Sequence, residues 1–317
     1  MDSQAPLQLP NINFSETKKQ IRGTQAWDTT KTQVFEALKD FGCFEASFNG
    51  ISHDLRKSMF ASLKELFDLP FEIKVRNFSH KLFNGYIGQA KEIPIFESLG
   101  IEEPESFVNL MWPQGNTKFV NNIRSYSEKL VEVDKIVRTM VLESLNLEKY
   151  TEEHMELTNN LVRVMKYRTP KKDESNMGLL SHADKNMVTI LHQNEVEGLE
   201  VQDKDGRWFK VKFSDNSFIV MVGETFKAWT NGRLHAATHR VVMSRNEDRY
   251  SIGFFSYPKL DKIIKAPEEL VDEEHPLLFN PYTYGEFIKF FHKEENVNDK
   301  FALEKYCGVI AMPTENL

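Results

Sequence analysis

A histidine, an aspartate and a later histidine have the types and spacing of a metal site. His182 and Asp184 are separated by one residue, and two further histidines, His235 and His239, follow much later. Because alternate side chains of a strand share one face, His182 and Asp184 can converge on one point. A second histidine from a distant strand would complete a two-histidine, one-carboxylate face. That ligand set is typical of non-haem Fe(II) sites with open coordination positions.

A second pair of residues has the types required to bind a carboxylate. Arg249 and Ser251 are also separated by one residue. A guanidinium is a planar, permanently charged fork that matches a carboxylate, and a hydroxyl two residues along the strand can donate to the same group. We therefore predict that Arg249 and Ser251 bind the distal carboxylate of a small dicarboxylic acid whose other end chelates the metal. 2-Oxoglutarate has that shape.

The spacing alone leaves the second histidine ligand open. We expect His235 and His239 to lie on the same face of one strand, four residues apart. The same spacing occurs in the zinc-binding helix of metalloproteases, but that helix needs a glutamate after the first histidine, and Ala236 stands there. A metal hydrolase would also have no need of the Arg249 and Ser251 pair.

Motifs along nearly the whole chain resemble those of the plant 2-oxoglutarate- and Fe(II)-dependent dioxygenases. In family order they are "LPNINF", "FGCFEASFNGI", "GYIG", "ESLGI", "MWPQGN", "GLEVQDKDGRW", "WTNGR", "HRVVM" and "RYSIGFFSYP". The motifs "MKYRTP", "HADKNMVTILHQ" and "MWPQGN" resemble in particular the branch named for alkenyl hydroxalkyl-producing enzymes. That branch lies near the auxin-oxidising enzymes of the family.

The resemblance implies roles for individual residues. The family places its second histidine ligand directly before "RVV" and ten residues before the arginine, which selects His239 and leaves His235 as a pocket residue. Tyr167 matches the second tyrosine of the family's Asn-Tyr-Tyr-Pro motif, whose hydroxyl binds the co-substrate. Met165 and Lys166 depart from that motif. A polar contact near the co-substrate is therefore expected to be missing.

The resemblance also implies the reaction and its cofactors. We expect Fe(II), 2-oxoglutarate as co-substrate, dioxygen, and ascorbate as reductant. The expected reaction is C–H hydroxylation of a small plant specialised metabolite, such as a steroidal alkaloid or a glucosinolate. Alternatives are a hormone-oxidising enzyme of the auxin or gibberellin type, desaturation or epoxidation at the same site, and a catalytically inactive ligand-binding relative.

Composition excludes several other classes of protein. The 317 residues carry a formal net charge of −7 and have no block of lysine and arginine, so nucleic acid is not an expected partner. No apolar run approaches the length of a membrane span, and the first residues lack the pattern of a secretion signal. Two cysteines give no disulfide framework. We expect a cytoplasmic protein, and a monomer.

Hydrophobic periodicity predicts mainly β structure with flanking helices. Predicted helices span 28–41, with Asp28 as N-cap, 52–69, 123–145 and 281–293, which begins with a proline. Predicted strands are 9–14, "GCFEASF", "LVRVMKY", "MVTIL", "LEVQ", "FKVKF", "SFIVMV", "HAATHRVVM" and "YSIGFF". Asp205-Gly206 and Asn231-Gly232 are predicted hairpin turns. Many short strands with little intervening helix indicate a sandwich or jelly roll, and the resemblance specifies a double-stranded β-helix with the metal in its mouth.

We expect one domain over residues 1–317. Residues 1–150 form a mixed helical and strand part, 160–258 the jelly-roll core with the metal site, and 259–317 a C-terminal helical extension. The stretch 84–121 is predicted to be irregular with short strands, and such segments are often functional. Aromatic residues predicted to line a substrate pocket are Phe96, Phe107, Trp112 and Phe255. His192 is predicted to be structural or exposed, and the histidines predicted to lie at the surface are His53, His80, His154, His275 and His292.

Overall fold

A large and a smaller β-sheet form the frame of the molecule. The structure is a computed structural model that describes residues 8–14, 22–81, 84–88, 90–214, 217–244, 246–297 and 299–309. Its strands are β1 (Asn11–Asn13), β2 (Cys43–Ser47), β3 (Ile87–Gly88), β4 (Phe96–Ile101), β5 (Thr158–Tyr167), β6 (Met177–His182), β7 (Val188–Gln193), β8 (Leu199–Gln202), β9 (Trp208–Lys210), β10 (Ser217–Val222), β11 (His239–Val242), β12 (Arg249–Pro258), β13 (Ile263–Ile264) and β14 (Tyr282–Thr283).

Helices precede, connect and follow these strands along the chain. They are α1 (Gln25–Asp40), α2 (His53–Phe67), α3 (Phe71–Lys74), α4 (Pro104–Met111), α5 (Thr117–Ser144), α6 (Thr151–Glu156), α7 (Glu224–Trp229), α8 (Tyr284–Phe291) and α9 (Ala302–Cys307). In the described ranges, no helix is long and apolar enough to cross a membrane. Residues 1–7, on which the expectation about a secretion signal partly depends, lie outside those ranges.

The two sheets pack face to face around an apolar interior. The large sheet has the order β1-β2-β10-β7-β12-β5-β4-β3, and the smaller sheet has the order β6-β11-β8-β9. One apolar cluster joins Met165, Leu191 and Ile219 of the large sheet to Leu199 and Val241 of the smaller one. Side chains alternate between the faces of a strand. The residues of β5, β7 and β12 that face this interior are therefore the odd-numbered ones.

Helix α5 covers the opposite face of the large sheet. The even-numbered residues Ile252 and Phe254 of β12 are fully buried in one cluster with Ile123 and Leu130 of α5. Burying side chains of this size stabilises the fold by roughly 1.5–3 kcal/mol each. The large sheet thus has a helical layer behind it and the smaller sheet in front of it.

Helix boundaries differ from the predictions where caps decide them. Helix α1 begins three residues earlier than predicted, because Thr24 is extended and its Oγ1 accepts a hydrogen bond from the Trp27 main-chain N at 3.3 Å. Asp28 therefore lies in the first turn and is not the N-cap. Helix α5 begins at Thr117 because Asn116 caps it.

The stretch 84–121 is more regular than predicted. It contains strand β4, helix α4 and the first residues of α5. Helix α4 has Pro104 in its first turn, where a missing N–H costs nothing, and it buries Phe107, Val108 and Met111 on one face. In the sequence, the proline and aromatic residues of this stretch look typical of a loop. In the structure, Pro104 and Phe107 belong to a helix.

The segment before His239 was also predicted wrongly. Asn231 and Gly232 have φ values of 47° and 75° and follow the short helix α7, so they end a helix and do not join two strands. Strand β11 begins only at His239. The Asp205-Gly206 turn between β8 and β9 agrees with the prediction, with Gly206 at φ 82°.

Two other predictions need correction. Helix α8 begins at Tyr284, because residues 282–283 form β14, so the proline at 281 precedes a strand. His154 is buried and not at the surface. Its Nδ1 accepts from Arg138 Nε at 3.1 Å, and Arg138 also pairs with Asp134 at 3.2 Å. This buried group joins α5 to α6.

Candidate active site

The structure brings His182, Asp184 and His239 together. His182 ends β6, His239 begins β11, and the two residues are direct cross-strand partners in an antiparallel pair. Their rings lie 4.3 Å apart between centroids, and His182 Nε2 lies 3.6 Å from Asp184 Oδ1. One nitrogen or oxygen from each of the three residues lies within 4.8 Å of the others. These distances suit three ligands on one side of a single metal ion.

Asp184 does not lie on a strand, which corrects the argument from strand spacing. Strand β6 ends at His182, and the chain then turns. The Asp184 main-chain oxygen accepts a hydrogen bond of 2.7 Å from the Glu224 main-chain N, at the start of α7. The carboxylate reaches the histidines because this contact fixes the turn.

Main-chain carbonyls fix the tautomer of both histidines. His182 Nδ1 lies 2.8 Å from the Leu180 oxygen, and His239 Nδ1 lies 3.1 Å from the Ala237 oxygen. A carbonyl oxygen only accepts hydrogen bonds, so each Nδ1 carries the proton and each Nε2 presents a lone pair. Burial lowers the pKa of His239 to about 4, which keeps its ring neutral. The donor set fits a metal ion.

Asp184 can supply an anionic ligand. Burial alone would raise the pKa of Asp184, but His239, His182 and the hydroxyl of Thr189 outweigh burial and hold that pKa below its ordinary value. Thr189 Oγ1 donates to Asp184 Oδ2 at 2.5 Å. Two neutral imidazole nitrogens and one carboxylate oxygen form the ligand set of non-haem Fe(II) oxygenases.

His235 lies apart from this cluster. Its expected position on the strand of His239 is wrong, because it precedes β11. Its main-chain N donates to the Leu38 oxygen at 3.1 Å, next to the end of α1. Burial lowers the pKa of His235 to about 4, and the nearby charges that act on it are those of Lys227 and Lys204. The geometry therefore favours His239 over His235 as the ligand.

Arg249 and Ser251 lie together on the interior face of β12. Both are 1% exposed, and Arg249 Nη1 donates to Ser251 Oγ at 3.3 Å. Tyr167 of β5 is the cross-strand partner of Arg249, whose guanidinium carbon lies 4.8 Å from the Tyr167 ring centroid. Burial raises the pKa of Tyr167, with Arg249 opposing, so its hydroxyl stays protonated. The hydroxyl hydrogen-bonds with Arg249 and Ser251 and lies 3.7 Å from the sulfur of Met165.

Sequence reasoning missed Gln193. This residue ends β7, and its Oε1 accepts from Arg249 Nε at 3.1 Å and from Arg249 Nη2 at 2.8 Å. The only signal for it in the sequence is a polar residue at the end of an apolar strand, within the motif "HADKNMVTILHQ". Two hydrogen bonds to one amide oxygen fix the plane of the guanidinium.

Two glycines bring this arginine socket against the metal-binding strand. A Cβ on Gly178 would lie 2.7 Å from Tyr167 Cδ1, and one on Gly198 would lie 3.1 Å from Arg249 Cδ; both would also meet Val241 Cγ1, at 3.0 and 3.3 Å. Val241 lies two residues after His239 on the same face of β11, which is about 7 Å along the strand. A short dicarboxylate can bridge such a span from metal to guanidinium.

The predicted pocket aromatics divide between two environments. Phe255 is half-buried on the interior face of β12, opposite Thr189, and Phe96 packs on Tyr167 with ring centroids 5.1 Å apart. Phe107 and Trp112 instead pack against Phe119 in the helical layer behind the large sheet, with centroids 5.8 and 5.1 Å apart. Helix α4 and its C-cap residue Trp112 thus belong to a different apolar cluster from Phe96 and Tyr167, and the role of Phe107 and Trp112 as pocket residues stays a prediction.

The fold and the site define a class of protein. A jelly-roll frame that holds two histidines and a carboxylate beside a buried arginine socket is the architecture of Fe(II)- and 2-oxoglutarate-dependent oxygenases. The family model of the 2OG-Fe(II) oxygenase superfamily matches residues 158–258. A model described as the N-terminal part of a non-haem dioxygenase in morphine synthesis matches residues 9–95. The chain belongs to the 2OG-Fe(II) oxygenase superfamily.

Comparisons with single proteins agree. The chain is 47% identical over 298 residues to an Arabidopsis thaliana protein named probable 2-oxoglutarate-dependent dioxygenase AOP1, with 90% of this chain and 97% of that one covered. It is 31% identical to the Arabidopsis 2-oxoglutarate-dependent dioxygenase AOP2, with 96% and 98% covered. The crystal structure of a rice dioxygenase for auxin oxidation superimposes with a TM-score of 0.79 at 27% identity, with 95% and 100% covered.

These findings confirm the predicted family, fold class and enzyme class. The protein is an oxidoreductase with a jelly-roll core, and Fe(II) and 2-oxoglutarate are the cofactors that its family and its triad of ligands support. A related Arabidopsis dioxygenase for auxin oxidation, 26% identical with a TM-score of 0.75, has a solved structure in a binary complex with 2-oxoglutarate; 84% of this chain and 99% of that one are covered.

Proposed function

We propose that this enzyme hydroxylates a small plant specialised metabolite. His182, Asp184 and His239 hold Fe(II), while Arg249 and Ser251 bind the distal carboxylate of 2-oxoglutarate. The observation that carries the proposal is the pair of free Nε2 atoms beside an anionic Asp184, next to the arginine socket. Iron and 2-oxoglutarate, when bound, supply the oxidation: dioxygen converts 2-oxoglutarate to succinate and CO2 and gives its other oxygen atom to a C–H bond.

The residues of the chain bind, orient and shield the reactants. Arg249 contributes a permanent charge in a buried site, where a charge-assisted hydrogen bond is stronger than in water. Ser251 and Tyr167 add hydroxyl donors, with Tyr167 kept protonated by burial. The apolar cluster between the sheets keeps water away from this end of the site. Met165 offers only a thioether where the family has an asparagine.

The proposed substrate class follows from the relatives. The 47% and 31% identical relatives, named 2-oxoglutarate-dependent dioxygenases AOP1 and AOP2, support the resemblance to the alkenyl hydroxalkyl-producing branch. That branch suggests a specialised metabolite such as a glucosinolate or a steroidal alkaloid. Phe255, half-buried on the same face of β12 as Ser251 and opposite Thr189, is the proposed pocket wall nearest the metal. Desaturation or epoxidation would need the same site with a different substrate pose.

A second candidate substrate is a hormone of the auxin type. The observation in its favour is the superposition, at 27% identity, on the rice dioxygenase for auxin oxidation. A third candidate function is ligand binding without turnover, since one 33% identical relative is named a probable inactive dioxygenase. The complete set of ligands, with both histidines in the metal-binding tautomer, favours turnover.

We further propose that the chain acts as a cytoplasmic monomer with ascorbate as reductant. In this proposal residues 1–317 form one domain, with 160–258 as the jelly-roll core that carries the site. Its two free cysteines, Cys43 and Cys307, are buried, which suits a reducing compartment. Size-exclusion chromatography and a turnover assay with and without ascorbate test these points.

Substrate class is best tested by screening compounds against succinate release. We expect the Fe(II)-loaded protein to form succinate in step with a hydroxylated product from a glucosinolate or a steroidal alkaloid, as measured by mass spectrometry. Auxin-dependent succinate release would instead support the hormone candidate. Binding of a compound with no succinate formed would support the inactive relative. Metabolite profiling of plants that over-express or silence the gene is the complementary experiment.

A further inference from the structure

Gln193 joins the arginine socket to the end of strand β7. It is 2% exposed, and its Oε1 accepts from Arg249 Nε at 3.1 Å and Nη2 at 2.8 Å. Its Nε2 donates to the Val196 oxygen at 3.1 Å. We propose that Gln193 is the positioning residue of the co-substrate socket, which turns one edge of the Arg249 guanidinium toward the carboxylate. This inference rests on the function proposed above.

The hydrogen bonds of Arg249 show which edge of its guanidinium can face the carboxylate. A guanidinium has five N–H donors in a fixed plane. Gln193 occupies the Nε and Nη2 edge, and Ser251 Oγ accepts from Nη1 at 3.3 Å. Gln193 leaves the fork between Nη1 and Nη2 as an edge that can hold a carboxylate in a bidentate manner, with the Tyr167 hydroxyl also bonded to the guanidinium. Among the described residues, no carboxylate pairs with Arg249.

The side chain of Gln193 carries no charge, which matters for the binding of an anion by Arg249. An amide oxygen orients the guanidinium without cancelling its charge, so the full positive charge remains for an anionic ligand. A glutamate of the same size would hold the same edge but would form a buried ion pair with Arg249. It would then compete with the carboxylate of 2-oxoglutarate for the same cation.

The helical layer fixes the main chain on which Gln193 stands. Arg56 of α2 donates to the Gln193 main-chain oxygen at 3.1 Å, to His192 Nε2 at 3.1 Å and to Glu195 Oε1 at 2.7 Å. His192 is buried, with its Nδ1 against the hydroxyl of Tyr126 in α5. Adjacent side chains face opposite sides of a strand. Helices α2 and α5 therefore hold the end of β7 from behind while Gln193 holds Arg249 in front.

The test is calorimetric titration of Mn(II)-loaded protein with 2-oxoglutarate, which needs no turnover. Gln193→Leu removes the acceptor of two buried N–H groups, and we expect the affinity for 2-oxoglutarate to fall about tenfold to a hundredfold. Gln193→Glu keeps the guanidinium in place but neutralises it. We expect the affinity to fall at least as far, while the unfolding temperature without 2-oxoglutarate falls less than for Gln193→Leu, because the glutamate still accepts from Arg249 and loses only the hydrogen bond to the Val196 oxygen. If Gln193 had only a structural role, the variant with the smaller loss of unfolding temperature would also show the smaller loss of affinity for 2-oxoglutarate.

Gln202 provides the matched control. It ends β8, and its Nε2 donates to the Gly206 oxygen at 2.8 Å, so Gln202→Leu and Gln202→Glu make the same exchanges away from the socket. We expect both to bind 2-oxoglutarate as the wild type does. If Gln193→Glu and any folded Gln193→Leu bind normally while Arg249→Lys binds weakly, the inference about Gln193 is wrong and the proposed function stands. If the wild type does not bind 2-oxoglutarate, the proposed function itself fails.

Discussion

At the scale of single residues, the chemistry depends on which histidine nitrogen carries the proton. Main-chain carbonyls of Leu180 and Ala237 hold Nδ1 of His182 and His239, so both Nε2 atoms can bind metal. The residue types and the family motif predict these ligands from the sequence. Gln193 could not be predicted, because its role comes from one amide oxygen meeting Arg249 across two strands, and no spacing along the chain encodes that meeting.

The two nearby histidines should differ in metal binding. We predict that His239→Ala loses iron, because it removes one of three ligands. His235→Ala should keep it, because that side chain lies outside the cluster. Iron content of the two purified variants, measured beside the wild type, decides the point. Loss of iron from the His235 variant alone would contradict the assignment.

Lysine should not be able to replace Arg249 in the binding of 2-oxoglutarate. Arg249→Lys keeps the charge but loses the fork, and we predict that the affinity for 2-oxoglutarate falls about tenfold to a few hundredfold, at ~1.4 kcal/mol per decade. Ser251→Ala should cost less, since it removes one neutral donor. The affinity for the organic substrate at saturating 2-oxoglutarate serves as control and should change little. Unchanged 2-oxoglutarate affinity in Arg249→Lys would mean that the socket is elsewhere.

At the scale of elements, the site depends on where strands end. Asp184 lies in a turn after β6, and His239 is the first residue of β11, so both strands deliver their ligands at their ends. Periodicity predicted the strands β5, β7, β10 and β12 but missed β6, in which only Gly178 is fully buried, and the short helix α7. Elements of this kind are set by tertiary contacts and carry little hydrophobic signal in the sequence.

The close approach of the two sheets at Gly178 should limit substitution there. Gly178→Ala would place a Cβ 2.7 Å from the Tyr167 ring, so we predict a loss of both stability and 2-oxoglutarate affinity. Gly115→Ala is the control, because its φ of 82° makes alanine strained while nothing lies within 4 Å. That variant should lose about 1 kcal/mol of stability and keep its 2-oxoglutarate affinity. Equal 2-oxoglutarate affinity in the two variants would contradict the role of Gly178.

At the scale of the whole molecule, helices behind the large sheet hold the site from a distance. The family match explains why overall architecture was predictable: motifs occur along nearly the whole chain. The sequence did not predict the buried group formed by Asp134, Arg138 and His154, and it placed His154 at the surface. A single charged or titratable residue carries no sign in the sequence that it will be buried. Ser256 Oγ donates to Asp134 Oδ1 at 2.9 Å, which ties this group to β12.

Breaking that buried group should destabilise the fold without changing the site. Arg138→Met leaves the carboxylate of Asp134 buried without its ion-pair partner, and we predict a loss of about 3–5 kcal/mol in the free energy of unfolding. Lys289→Met, which breaks an exposed pair with Glu286, should cost about 1 kcal/mol or less. Denaturant titration measures both. Equal effects would show that the buried group is no stronger than a surface pair.

The most direct test of the account follows oxygen uptake and succinate release together. Purified protein is supplied with Fe(II), 2-oxoglutarate and an accepted organic substrate, and wild type is compared with Asp184→Ala. We predict that the wild type forms succinate in step with the oxygen consumed. Asp184→Ala, still folded by circular dichroism, should lose both activities, because it lacks the anionic ligand that His182 and Thr189 hold in place. A folded Asp184→Ala protein that kept wild-type oxygen uptake and succinate release would contradict the proposed iron site.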